Sequence, residues 1–286
     1  MGARAGHIST LLIVPVALCL GLSACDNTTR YFDPLTVDGR DGSAHVTYPI
    51  LMRIGEAARA GHDYSNAVAV FRRAAVVAPR EAVPMVAAGD TLRDMGNANE
   101  AIVAYNAALK RKPGYGLALE GLAKAYLMTG KPELAQSPLA EAAQSESQKN
   151  PKILLLQGVT ADYSGQHPQA QAFYRAGLRL APKDAALSLD LALSLALTGQ
   201  YDEAIRILYP IAGEPTATAR DRQTLALIYG LKGDMASAAR LARMDLNPAA
   251  VQHNLAYYGT LRRLSPEARA QAVLSASGGP QAIGRS

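Results

Sequence analysis

Tryptophan is absent from the 286 residues, phenylalanine occurs three times, and cysteine occurs only as Cys19 and Cys25. Everything beyond residue 25 therefore has neither a disulfide nor a cysteine-based metal site open to it, and must hold together by packing alone. Histidine is scarce and scattered. His7, His45, His62, His167 and His253 share no ligand spacing, and no H-E-x-x-H occurs. Long apolar runs are missing apart from the ten residues 11–20, half of the roughly 20 that a bilayer span needs. Phosphate loops are missing too. Gly130-Lys131 is followed by Pro132 instead of Ser or Thr, and Gly114 and Gly116 are followed by Leu119 where a dinucleotide fingerprint places its third glycine. The formal net charge is +5, and the one compact basic run, Lys110-Arg111-Lys112, ends an expected helix, where cations complement the helix dipole. No aromatic stacking platform accompanies it, so nucleic acid is not an expected partner. With no catalytic constellation, the chain reads as a non-enzyme without metal, cofactor or small-molecule substrate.

What is present begins with a processing signal. Arg4 and the free amine precede Leu11–Leu20, whose Pro15 disfavours a longer helix. Leu22-Ser23-Ala24-Cys25 follows and resembles the bacterial lipobox, in which an aliphatic residue and two small residues precede a lipidated cysteine. The resemblance implies cleavage after residue 24 and acylation of Cys25. Several acyl chains, each buried methylene contributing about 0.8 kcal/mol, would anchor the chain stably in a membrane. An ordinary secretory signal with a chance cysteine is the alternative. Asp26 resembles the inner-membrane retention signal of enterobacterial lipoproteins, so either face of the periplasm stays open. Residues 26–46 are rich in Asp, Asn, Gly and Thr without helical period. They read as a tether of roughly 25 Å reach.

The rest of the chain is periodic. Alanine recurs at Ala67, Ala101, Ala135, Ala170, Ala204 and Ala238, at intervals of 34, 34, 35, 34 and 34 residues. Five residues before it stand Gly96, Gly130, Gly165, Gly199 and Gly233. Twelve before it stand Gly55, Gly89, Ala123, Gly158, Ala192 and Ala226. Four after it stand Phe71, Tyr105, Leu139, Tyr174 and Leu208. Pro79, Pro113 and Pro182 close three units. Small residues let two helices approach, a glycine supplies a left-handed turn between them, the bulky residue fills the gap to the next unit, and proline stops the helix. This resembles the tetratricopeptide repeat. It implies an all-α, right-handed superhelical solenoid of about six helix–turn–helix units over residues 47–248, with capping helices over 249–274 and a disordered tail from 275. The third unit has an extra residue and Ser147 in place of its proline, so a longer joint is expected near 144–151. Ala242 and Asp245 mark a divergent sixth unit. Pro248–Leu264 reads as a helix capped by Asn247, and Val251, Leu255, Tyr258 and Leu261 form its apolar stripe.

The first helix of each unit is expected to line a concave groove. Its inward positions hold Leu117, Leu127 and Met128 in the third unit, Leu155, Val159 and Tyr163 in the fourth, Leu189, Leu193 and Leu197 in the fifth, and Leu227 and Leu231 in the sixth. The first two units are more polar there, with Glu56, Arg59, Asp90, Arg93 and Asp94. The apolar end suits an amphipathic helix or extended peptide from a protein partner. The alternative is that the C-terminal helix folds back and fills it.

The lipobox, the repeats and the ending Asp245-Leu246-Asn247-Pro248 … Asn254-Leu255-Ala256-Tyr257-Tyr258 together resemble the TadD family of tight-adherence pilus lipoproteins. That resemblance implies a pilotin-like role, binding a pilus secretin and helping it reach or assemble in the outer membrane. An envelope assembly lipoprotein serving outer-membrane barrels or polysaccharide export is the alternative, beside a structural tether without a dedicated client and an enzyme-regulatory subunit.

Overall fold

A computed structural model describes residues 47–145 and 150–276. The signal segment, Cys25, the tether up to residue 46, Ser147 and the tail from residue 277 lie outside the described residues. Among the described residues there are fourteen α-helices and no strand: α1 Tyr48–Ala60, α2 Tyr64–Val77, α3 Val83–Asp94, α4 Ala98–Arg111, α5 Gly116–Met128, α6 Pro132–Ser145, α7 Pro151–Tyr163, α8 His167–Leu180, α9 Ala185–Leu197, α10 Tyr201–Ala212, α11 Ala219–Lys232, α12 Met235–Ala242, α13 Pro248–Arg263 and α14 Pro266–Ala276. Ser275 and Ala276, which the sequence assigns to the tail, form the end of α14.

Each helix packs on the next, and the odd-numbered helices also stack on one another from α3 to α13. That pattern is a tetratricopeptide solenoid with an inner wall of first helices. The turn glycines do what their period implies. Gly96, Gly130, Gly165, Gly199 and Gly233 all have positive φ, a conformation that costs a side-chain-bearing residue about 1 kcal/mol or more. In the first unit His62 takes the same seat at φ 61, with its Nδ1 2.7 Å from the Tyr64 hydroxyl.

The small positions make the close crossings. A Cβ on Gly55 would lie 2.4 Å from the Phe71 ring, on Gly89 2.7 Å from Tyr105, and on Gly158 2.3 Å from Tyr174. The bulky residue thus lies first against its own unit's glycine. Tyr105 also reaches the following unit, where a Cβ on Gly121 would be 2.3 Å away.

The irregular units have local explanations. Asn150 starts α7 by accepting from the Lys152 amide at 3.0 Å. In the sixth unit Ala242 is buried with Val251 of α13, so α13 supplies the bulk that the repeat omits. Asp245 accepts from Arg222 Nε and Gln223 of α11. Asn247 accepts from the Ala250 amide at 2.9 Å with Pro248 in the first turn, which aims α13 back onto α11. A Cβ on Gly230 would lie 2.4 Å from Tyr258, so this crossing is as close as those within the repeats.

Candidate partner-binding groove

The inner wall is divided in two. In the first three units it is open and charged. Arg59 donates to Asp94 at 2.6 and 2.9 Å, Lys124 to Glu120 at 2.7 Å, and the Tyr105 hydroxyl to Asp90 at 2.7 Å. Burial, then the charge of Asp90, pushes the Tyr105 phenol well above its ordinary range. Glu56 is exposed, and Val83 and Leu117 are exposed apolar residues, Leu117 at 53%. Met128 is half-buried.

In the later units the wall is closed. Leu189, Leu193, Leu197 and Leu231 are buried in one apolar cluster with Ala270 and Val273 of α14, and Val159 joins them. Leu155, Tyr163 and Leu227 are partly buried against the same cluster. Helix α14 causes this: it leaves the sequential order and packs on α9 as well as α13. The Tyr163 hydroxyl donates to the Leu274 carbonyl at 3.2 Å. Of the two alternatives for the apolar wall, the structure has the fold-back: the chain's own C-terminal helix packs on α9 and reaches Tyr163. The expectation for Leu127 is corrected. It has no exposed surface and belongs to the core, not to the groove.

A polar network of which the repeat period marks only Tyr174 lies at the edge of the covered half. Asp162 at the end of α7 accepts from the Ser194 hydroxyl of α9 at 2.8 Å and from the Tyr174 hydroxyl of α8 at 3.0 Å. His167 Nδ1 lies 2.7 Å from the same carboxylate. Gln171 donates to the Ser194 carbonyl and the Thr198 hydroxyl. Asp162, Tyr163, His167, Leu197 and Thr198 face Pro266, Glu267, Ala270 and Leu274 of α14 across a cavity of about 690 Å³. Serine and histidine here both bond the aspartate and not each other, so the arrangement does not activate a nucleophile. Its chemistry is that of a buried brace joining three helices. Among the described residues no group of His, Cys, Asp and Glu is placed to hold a metal ion, and no helix is long and apolar enough to cross a membrane.

Asp190 of α9 keeps part of its surface in solvent, yet burial pushes its carboxyl up to about 7, against the pull of Arg220 and with the charges of Asp162 and Asp184 adding to the rise. Its ordinary value is 3.8. Between about pH 4 and pH 7 the unfolded chain loses this proton while the folded chain keeps it, so stability falls as pH rises through that window and levels off above it. That rise corresponds to at most ~4 kcal/mol, reduced by the remaining solvent contact. Asp190→Asn is expected to raise the melting temperature at pH 8 and leave it unchanged at pH 4. An equal change at both pH values would show that Asp190 does not titrate in this window.

Tetratricopeptide repeat family profiles match residues 86–151 and 163–214. Cellulose synthase 1 operon protein C of Komagataeibacter xylinus is 30% identical over 172 residues, which are 56% of this chain and 12% of that protein. The chain thus spans about one-eighth of the length of that curated relative. Among solved structures, the APC/C hetero-tetramer Cut9–Hcn1 superposes with a TM-score of 0.63 at 20% identity, covering 74% of this chain and 43% of that one. Pseudomonas aeruginosa pilF superposes with a TM-score of 0.61 at 18% identity, covering 73% of this chain and 97% of that one. The chain is a tetratricopeptide-repeat protein, and the inner wall described above is the class's concave face.

Proposed function

We propose that this chain is a non-enzymatic, lipid-anchored scaffold of the bacterial envelope that captures a protein partner on the open inner wall of its first three repeats. The observation that carries this reading is the wall itself. The first helices of these units carry the exposed Glu56, Val83 and Leu117 beside the half-buried Arg59, Asp94, Glu120 and Lys124, a mixture of apolar and charged groups of the kind protein interfaces use. The anchor is Cys25, facing the periplasm. The TadD resemblance of the ending supports a pilotin-like role toward a pilus secretin, with the outer membrane as destination and the inner membrane as the alternative that Asp26 supports. The second reading is an envelope assembly factor for polysaccharide export or outer-membrane barrels, and the likeness to the Komagataeibacter cellulose synthase operon protein favours it. A tether without a dedicated client and an enzyme-regulatory subunit are the remaining alternatives.

A photo-crosslinking residue at Glu56 or at Leu117, introduced in cells, tests the scaffold reading. One envelope protein should be captured from both positions: a secretin under the first reading, a polysaccharide-export component under the second. The Cys25→Ser chain should leave the membrane fraction and lose that product. Absence of any crosslinked protein from either position, with the chain folded and anchored, removes the scaffold reading. Persistent membrane attachment and palmitate incorporation after Cys25→Ser removes the anchor.

A further inference from the structure

The cover over the second half of the groove is poorly matched to what it covers. The wall offers Leu189, Leu193, Leu197 and Leu231, with Tyr163 and Leu227 beside them. Of the eleven residues of α14 only Ala270 and Val273 are buried. The cavity of about 690 Å³ lies along this contact, lined on the wall side by Tyr163 and Leu197 and on the helix side by Ala270 and Leu274. So the small side chains of α14 leave space unfilled between the helix and the wall, with Asp162, His167 and Glu267 at its edge. What holds α14 is in large part polar: Tyr163 and Tyr257 donate to the Leu274 and Ala272 carbonyls near its end, and Arg269 fixes its start. Arg269 donates to the Leu261, Arg262 and Leu264 carbonyls at 3.1, 3.4 and 3.1 Å and to the Tyr201 hydroxyl at 3.3 Å. A helix of eleven residues has little stability of its own, so α14 stays formed only while docked.

We propose that α14 is a built-in occupant of a helix-binding site, displaced when a partner presents an amphipathic helix carrying leucine where α14 carries Ala270, Val273 and Leu274. The proposal deepens the protein-capture reading and rests on it. The spacing i, i+3, i+4 is the one a single helix face offers. A leucine in place of Ala270 would reach into the space that alanine leaves, and one in place of Val273 would extend toward a second cavity beside Leu227, Tyr257 and Tyr258. Because α14 is joined to α13 through Leu264 and Ser265 alone, it competes at an effective concentration on the order of millimolar. Only a better-fitting helix wins, and that gives the site selectivity for its partner.

The test uses the mature full-length chain and a peptide of residues 265–276 carrying Ala270→Leu and Val273→Leu. An added tryptophan makes the peptide the sole indole emitter, since the chain has none. Fluorescence anisotropy should show weak binding to the unaltered chain, at least tenfold tighter binding to the Arg269→Ala chain, and none to Arg269→Ala with Leu193→Asp. The peptide of native sequence should bind at least tenfold more weakly than the leucine peptide. Hydrogen exchange on the unaltered chain requires no variant. The α14 amides should exchange at least a hundredfold faster than those of α9. Equal protection of α14 and α9, or equal peptide affinity with and without Arg269, overturns the proposal. A concentration-dependent dimer of the Arg269→Ala chain would overturn it in favour of a second copy's α14 as the occupant. None of these failures touches capture at Glu56 and Leu117, which the crosslinking reads separately.

Discussion

Asp162→Ala is expected to destabilise the solenoid by about 3–5 kcal/mol, which at roughly 2–4 °C per kcal/mol for a body of this size lowers the melting temperature by about 10 °C. The carboxylate is the acceptor for the Ser194 and Tyr174 hydroxyls and the partner of His167. Tyr174 is 1% exposed and Ser194 has no exposed surface. Without Asp162 those two buried hydroxyls lose their acceptor, at about 1–3 kcal/mol each. One term opposes the loss: Asp162 raises the Asp190 carboxyl, so its removal relieves a like-charge contact and should shift the pH window of Asp190 downward. A double-mutant cycle separates a brace from ordinary packing. In the Asp162→Ala background Tyr174→Phe should be neutral or stabilising, because a donor without an acceptor has been removed. Strict additivity of the two changes in thermal melts would refute the brace.

The network also shows where sequence reasoning stops. The 34-residue period was legible because its positions carry restrictive demands. Positive φ at Gly96, Gly130, Gly165, Gly199 and Gly233 favours glycine, and contacts such as Gly55 against Phe71 exclude even a methyl group. Tyr174 holds the period's bulky position, but Asp162, His167 and Ser194 meet no such demand. Each is an ordinary residue at its own place in a helix, and only the stacking of α7, α8 and α9 brings them together. The covered wall was hidden for a related reason. Periodicity gives the direction in which Leu193 points, but burial depends on α14, whose partners are remote in sequence: Tyr163 bonds Leu274 across 111 positions. The seam of α14, an alanine and a valine, is too slight to announce docking. Its mild amphipathicity is why a fold-back and an open groove were equally compatible with the sequence.

The ending from Asp245 to Tyr258 has a structural account in the same terms. Asp245 pairs with Arg222 and Gln223 of α11, Asn247 caps α13, and Tyr258 lies against Gly230. These residues terminate the repeat stack and set the angle at which α13 leaves it. That angle then delivers α14 to α9. The segment from Asp245 to Tyr258 thus fixes the position of the helix that covers the groove, which ties the stability of the C-terminal cap to access at the apolar wall.

The second large effect concerns the helix crossing beside the same brace. Gly158→Ala is expected to destabilise by about 2–4 kcal/mol even though alanine is the better helix former by nearly 1 kcal/mol. A Cβ at residue 158 would lie 2.3, 2.6 and 2.7 Å from three atoms of the Tyr174 ring, far inside van der Waals contact. A ring at the end of a free side chain could swing aside, but this one is buried and its hydroxyl is tied to Asp162 at 3.0 Å. Relief must therefore come from separating α7 and α8, which loosens the packing on both sides of the fourth unit. The contrast with Gly165 makes the argument specific. Its Cβ would meet nothing within 4 Å, and only its φ of 74° resists substitution, so Gly165→Ala should cost about 1 kcal/mol through backbone strain alone. Replacing the ring separates the two mechanisms. In a Tyr174→Leu background Gly158→Ala should become nearly neutral or stabilising, as the helix propensity gain is no longer opposed. Gly165→Ala should cost the same in either background. If Gly158→Ala is equally harmful with leucine at position 174, the close approach of α7 and Tyr174 is not what demands glycine there.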